Sequence, residues 1–316
     1  MTVDGDPPER VRALAEHRVT ARSNREFAVA DSLRDEIAAA GWIVRDTPEG
    51  YELSIKPPYD VLPDVGAIPS REVDATGDRR ATVALLVDGW PDDVDACLGA
   101  LLTHLPADVG VLALDVADVD GAGRRVHELA AAHPDVMDEL HVVEPSRYGA
   151  ARAALLRYDT SPIHIWMETS TVVDGDVVTP LLAALEDPTV VGAGWRGVNV
   201  DPDWHGFHDA TPGRDVEALL GYLFAMRTDA ATAVAEDPES PLSRARFYRN
   251  VDLELSFWLR DAGGRLVVPA VELPVHQQRH RGYHDTDPAY RDRESKRNYD
   301  RFLARFRGRD DLRLHS

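Results

Sequence analysis

The sequence predicts an α/β protein with a mainly parallel sheet flanked by helices, preceded by a small helical hairpin and β-hairpin module. Three observations carry this prediction. From Ala81 onward, continuous apolar runs of strand length alternate with helical stretches, the pattern of a parallel sheet covered on both faces. Upstream, residues 57–80 contain Pro57, Pro58, Pro63, Pro69, Gly66 and Gly77 and no apolar period, which marks a linker or a strap laid over the surface. Before that, apolar residues at helical spacing give way at Gly41 to two short strand-like runs. The chain therefore divides into a module at 1–56, a linker at 57–80 and the α/β domain at 81–316.

Bulk composition narrows the function classes. With 316 residues, 44% hydrophobic and 28% charged, the chain has enough apolar material for a core. Its net charge of −20 repels a phosphate backbone, which argues against general nucleic-acid binding. Cys97 is the single cysteine, so no intrachain disulfide forms. The start, MTVDGDPPER, lacks the charged-then-apolar pattern of a signal peptide, and no apolar run reaches the roughly 18–20 residues that span a bilayer. The expectation is a cytoplasmic protein.

In the module, Val11, Leu14 and Val19 stripe a first helix, and Phe27, Ala30, Leu33 and Ile37 a second. Ser23 with Glu26 has the spacing of a capping box, and Gly41 suits the second helix's end. Trp42-Ile43-Val44 and Tyr51-Glu52-Leu53 read as strands joined by Thr47-Pro48-Glu49-Gly50. The run REFAVADSLRDEIAAAGWIVRDTPEGYEL resembles the C-terminal end of cysteinyl-tRNA synthetases over about residues 20–54. No synthetase catalytic core accompanies it. It reads either as a small packing or docking module or as an RNA-contacting one, and the chain's acidity weighs against the second.

The α/β domain opens with a strand at Ala81–Val87 and a helix over 92–104. A strand at 109–115, a helix over 121–132, a strand at 140–143, a helix over 149–158 and a strand at Ile163–Met167 follow. Ligands of such sheets bind beyond the carboxyl ends of the strands. This singles out Asp88-Gly89, Asp115 with Asp118, and Glu168-Thr169-Ser170. Short acidic residues there hold a base, a ribose or a metal ion, or else cap helices and form turns.

ATVALLVDGWPDDVDACLGALL followed by VGVLALDVADVDGAG resembles the opening of family 2 glycosyltransferases, and the similarity runs from Ala81 to about Arg309. The resemblance implies the GT-A fold and transfer of a sugar from a nucleotide-diphosphate donor to an acceptor, with inversion. It puts Asp115 where the family's base-reading Asp stands, with Asp120-Gly121 in the turn that follows; Asp88 and Asp118, singled out by their strand-end positions, are assigned to the same nucleotide-sugar site. Glu168 and Ser170 take the place of the metal-binding Asp-x-Asp that bridges Mn²⁺ or Mg²⁺ to the diphosphate. A carboxylate and a hydroxyl still bind such an ion through oxygen, with one formal charge fewer. Asp174 and Asp176 stand close by, as substitutes or as caps of a helix near Val177.

Further on, RFYRNVDLELSFWLRDAGGRLVVP matches the family's acidic segment, helix and glycine turn. Arg249-Asn250 replaces the usual Glu-Asp, which leaves Asp252, helped by Asn250, as the base that deprotonates the acceptor. Asp252 as a helix cap is the alternative. Trp195 falls where such enzymes shape the sugar or acceptor pocket, and 199–212, with Trp204, His205 and His208, reads as a mobile lid. In LPVHQQRHRGYHD a histidine is expected to complete the metal shell, with His276 and His280 the candidates. His276, His280 and His284 have helical spacing, although Gly282 and the polar composition favour a loop.

Residues 279–309 hold ten Lys or Arg against five Asp or Glu, on a helix over 291–307 striped by Tyr299, Phe302, Leu303 and Phe306. Its basic face suits a phosphate-bearing acceptor, a protein or the inner membrane surface, or is a solvated face. The chain lacks a GxxxxGK[ST] loop, a zinc-type cysteine pairing and a GxSxG elbow. The rival to an active transferase is a nucleotide-sugar-binding or interaction protein of the same ancestry with weakened catalysis.

Overall fold

Helical periodicity in the first forty residues produces α1 (Glu9–Ser23) and α2 (Phe27–Ala39), and the two strand-like runs pair as β1 (Trp42–Thr47) and β2 (Gly50–Ile55). The computed structural model describes residues 6–48, 50–70 and 79–314; Glu49 of the hairpin turn and linker residues 71–78, with Gly77, lie outside the described residues. Val11, Ala15, Ile37, Trp42 and Val44 give the module a core of its own. Gly41, at φ 81°, makes the left-handed exit from α2 that a side chain would resist. The expected capping box does not form. Helix α1 extends through Ser23, whose hydroxyl bonds back to the Val19 carbonyl, and Glu26 takes the cap position.

Residues 57–70 are a packed strap. Leu62 donates to the His141 carbonyl at 2.8 Å and accepts from the Val143 amide at 2.9 Å, adding a bridge to the sheet edge. Tyr59 and Ile68 are buried on the sheet, so these residues hold the module against the α/β body.

The α/β body opens with β3 (Ala81–Val87), α3 (Pro91–His104), β4 (Val109–Val116), α4 (Ala122–Ala132), β5 (Met137–Val142), α5 (Tyr148–Tyr158) and β6 (Ile163–Met167). Every residue of β3 and β4 is buried, as their unbroken apolar runs require of strands covered on both faces. There follow β7 (Thr171–Val173), α6 (Val178–Ala184), β8 (Val190–Gly194), β9 (Gly197–Val200), β10 (Phe207–Asp209), β11 (Ala218–Leu219), β12 (Leu223–Arg227), α7 (Thr228–Ala235) and α8 (Pro241–Arg244). The chain closes with α9 (Val251–Asp261), β13 (Arg265–Val267), β14 (Val275–Gln277), α10 (Arg281–His284) and α11 (Pro288–Phe306).

Seven strands form the main sheet in the order β13-β8-β12-β6-β3-β4-β5. All neighbours are parallel except β12, which runs antiparallel between β6 and β8. Helices α3, α4 and α6 cover one face, with Leu98, Val126 and Leu181 in the core there. On the other face α5, α7, α9 and α11 pack through Leu156, Val234, Phe257, Phe302 and Phe306.

Residues 199–212, read in the sequence as a mobile lid, are anchored to the body through Trp204. Strands β9 and β10 pair as a hairpin. Trp204 is 3% exposed against Phe257 and Phe302, and its carbonyl accepts from the Tyr299 hydroxyl at 2.9 Å. Two arginines of the basic face of α11 reach the body and two pair within the helix. Arg301 pairs with buried Glu254, Arg293 and Arg297 with buried Glu294, and Arg305 lies 3.6 Å over the Trp258 ring. Among the described residues no helix is long and apolar enough to cross a membrane.

Candidate active site

Parallel pairing of β3 with β6 sets Leu85 opposite Met167, so Asp88 and Glu168 leave the sheet along one edge. Two cavities open there, of about 480 and 230 Å³, and they share Tyr148, Glu168, Tyr248 and His280 as a common wall. Asn250 and Asp252 line the larger cavity; Asp88 and Ser170 line the smaller.

Glu168 is held from beneath. Its Oε1 accepts from the Tyr148 hydroxyl at 2.7 Å, Arg152 at 2.8 Å and the Trp166 indole at 3.1 Å. Arg152 is wholly buried, also donates to the Ala84 and Met167 carbonyls, and lies 4.3 Å over the Trp166 ring. This guanidinium balances the carboxylate's charge, while Oε2 accepts no hydrogen bond among the described residues.

Asp88 reaches cleft water but is ringed by protein mass, and its carboxyl is pushed up to about 6, by desolvation first and then by the charge of Glu168, against the pull of Arg152. Ser170 is 4% exposed and its Oγ has no hydrogen-bond partner. Antiparallel pairing of β14 with β7 returns the chain to this point, where the Gln278 amide donates to the Ser170 carbonyl at 2.8 Å and His280 follows. His280 stacks on Tyr248 at 4.5 Å and 10° between planes, and neither ring nitrogen has a partner. Burial lowers its pKa, which favours the neutral imidazole.

These groups suit a divalent ion in kind. Glu168 Oε2, Ser170 Oγ and a neutral imidazole are oxygen and nitrogen donors without competing bonds. They are not gathered into a finished cluster, because among the described residues no three His, Cys, Asp or Glu side chains are grouped to hold a metal. His276 stands apart, exposed on β14 and bonded to Asp174 at 2.7 Å, and lines neither cavity. The regular His spacing is thus split between a strand and the single turn of α10. Asp176 caps α6, accepting from the Val178 and Thr179 amides.

Across the larger cavity, Asp252 opens α9. Its Oδ2 accepts from the Gly221 amide at 2.7 Å and Oδ1 from the Leu253 amide at 2.9 Å. Burial raises its pKa, and these two amides oppose the rise. Asn250 precedes the helix in a left-handed conformation and donates to the Ser295 carbonyl. Trp195 lines neither cavity; it stands edge-on behind Tyr222, which does.

Asp115 and Asp118 lie elsewhere. They line a third cavity, about 800 Å³, between the strap and the β1–β2 hairpin. Asp115 is buried against α4 and bonds His141 Nδ1 at 3.1 Å, while its Oδ1 lacks a partner. Burial raises the pKa of Asp115 and the His141 contact opposes this. His141 continues to Glu139, and Glu139 to His127, each at 2.8 Å, with Tyr59 stacked 4.0 Å from the His141 ring. Asp118 accepts from the Gly123 and Arg124 amides at the start of α4. The separation follows from strand alternation: Val116 faces the cleft, so its neighbour Asp115 faces the opposite side.

Tyr148, Arg152 and Tyr248 escaped the sequence reading. Arg152 left a trace as the lone charge in the apolar helical run AARAALL, the signature of a buried ion pair. The tyrosines left none.

Residues 4–52 match the family described as cysteinyl-tRNA ligase anticodon binding domain. Over 48 residues the chain is 50% identical to cysteine–tRNA ligase 1 of Burkholderia lata, and over 46 residues 54% identical to the cysteine–tRNA ligase of Opitutus terrae. Each match covers 15% of this chain and 10% of the relative, so the chain spans about a tenth of these curated relatives. A mannosyltransferase from Pyrobaculum calidifontis, solved with GDP-Man and Mn²⁺, is similar in fold at TM-score 0.50 and 20% identity, covering 73% of this chain and 63% of that one. GalNAc-T7, solved with UDP, GalNAc and Mn²⁺, is similar at TM-score 0.57 and 13% identity, covering 71% of this chain and 48% of that one. The N-terminal segment thus matches the cysteinyl-tRNA ligase anticodon-binding domain, and most of the chain has the fold of GT-A glycosyltransferases.

Proposed function

We propose that this chain transfers a sugar from a nucleotide-diphosphate donor to an acceptor with inversion at the anomeric carbon. One observation carries the reading: in a GT-A fold, two cavities meet at Glu168 and His280 on the carboxyl edge of the sheet, with Asp252 on the wall of the larger. The donor's diphosphate lies where the two cavities meet at Glu168 and His280, and the larger cavity takes the sugar and the acceptor. Glu168, Ser170 and His280 would hold the Mn²⁺ or Mg²⁺ whose charge offsets that of the leaving diphosphate. Asp252, its pKa raised by burial, accepts the acceptor hydroxyl's proton, and the amides of Gly221 and Leu253 fix its orientation.

A second reading, a nucleotide-sugar-binding protein with weakened catalysis, is favoured by Ser170 at the second acidic position and by the ion pair that neutralises Glu168. A transfer assay on Asp252→Asn, run beside donor binding, separates the two. The first reading expects transfer by the parent chain and its loss in the variant with donor binding kept. Donor binding with no transfer by the parent chain establishes the second. Full transfer by the variant removes Asp252 from the mechanism.

A further inference from the structure

We propose that Arg246 and Arg249 form a two-sided clamp for the pyrophosphate of a nucleoside diphosphate; the proposal rests on the donor-site reading above. Arg246 borders the smaller cavity and Arg249 the larger. Between them Tyr248 stacks on His280 in the wall that both cavities share.

Their lack of partners sets these two apart from other arginines of the cleft. Arg279 is paired with Asp285 and Arg281 with Asp93. Among the described residues, Arg246 makes no side-chain hydrogen bond or ion pair, and Arg249 only lies 5.1 Å from the Tyr283 ring. Two guanidiniums without an ion pair thus stand at one cleft of a chain whose net charge is −20. Glu168 is already neutralised by Arg152 and Asp93 is paired with Arg281, and among the described residues neither cleft arginine pairs with Asp88 or Asp252, which line the same cavities. Their charge is left for a ligand, and a planar fork of N–H donors suits phosphate oxygens.

The backbone that presents them is rigid. Asn298, 1% exposed on α11, donates to the carbonyls of Phe247 at 2.8 Å and Arg249 at 2.9 Å. Phe247 is buried, and the Tyr290 hydroxyl reaches the Arg246 carbonyl. A pinned segment ending in two free cations loses little order when an anion binds. His280, whose two ring nitrogens lack partners, adds a neutral donor between the cations.

The test is calorimetric titration of the full chain with inorganic pyrophosphate, UDP, GDP and UDP- or GDP-sugars, with and without Mn²⁺. The chains compared are the parent, Arg246→Gln, Arg249→Gln and the double variant, with Arg244→Gln as a control for the loss of a positive charge outside the cleft. A charge-assisted hydrogen bond predicts about tenfold weaker binding for each cleft variant and about a hundredfold for the pair, with Arg244→Gln unchanged. Arg→Lys at either position should recover only part of the loss. Nucleotide-sugar affinity unchanged in the double variant overturns the clamp and leaves the donor reading standing. Pyrophosphate held through the two arginines, with no nucleoside diphosphate or nucleotide sugar bound, upholds the clamp and overturns the donor reading. No binding of any probe overturns both.

Discussion

At the scale of residues, the cleft is defined by how charge is buried and offset. Arg152 is wholly buried and exists in that state because Glu168 and two carbonyls accept its hydrogen bonds. Arg152→Met leaves Glu168 without its cation and is expected to cost about 3 kcal/mol in chemical denaturation; an unchanged midpoint would show that the pair is idle. Asp88 behaves oppositely. Its folded pKa, about 6, lies above the unfolded value, so the native state binds the proton more tightly and loses stability as pH rises through that window. Asp88→Asn is therefore expected to stabilise the chain above pH 6 by about 1 kcal/mol, a figure discounted for the cleft water at the carboxylate, and to have no effect near pH 4. Melting curves at both pH values check the sign. The acidic residues at strand ends were legible in the sequence because strand ends are where such sheets bind. Arg152 beneath Glu168 was not, since its pairing depends on a helix crossing the sheet at one particular place.

Elements show the same division. Strands β3, β4 and β6 were legible because a strand buried on both faces must be apolar throughout. Strand β12 was not, because Leu223–Arg227 is short and its antiparallel direction depends on pairing with both β6 and β8. The strap is the larger surprise. Its prolines announced irregular backbone and concealed Tyr59, which is 7% exposed and stacked on His141 over the Asp115 network. Tyr59→Ala removes that stacking and is expected to cost about 3 kcal/mol and to speed amide exchange across 57–70. Exchange at the parent rate would mean that Leu62 and Ile68 hold the strap alone. The pairing of β14 with β7 matters most for function, because it brings His280 to Ser170 across a separation in sequence that no local pattern reveals.

For the whole molecule, a module with its own small core is strapped to a GT-A body whose cleft it does not line. Removing residues 1–56 is accordingly expected to leave nucleotide-sugar binding unchanged; a loss of binding would assign the module to the donor site. The resemblance to glycosyltransferases was legible as an order of strands and acidic turns. The site was only partly legible, since Asp88, Glu168, Ser170, His280 and Asp252 converge while Asp115, Asp118, Trp195 and His276 do not. Donor binding at Glu168 is tested most directly by equilibrium titration of UDP- and GDP-sugars with Mn²⁺ into the full chain and into Glu168→Ala. Saturable one-to-one binding of one donor class by the parent chain is expected, with at least about tenfold weaker binding by the variant. Equal affinity in both chains, or no binding by the parent, would contradict it.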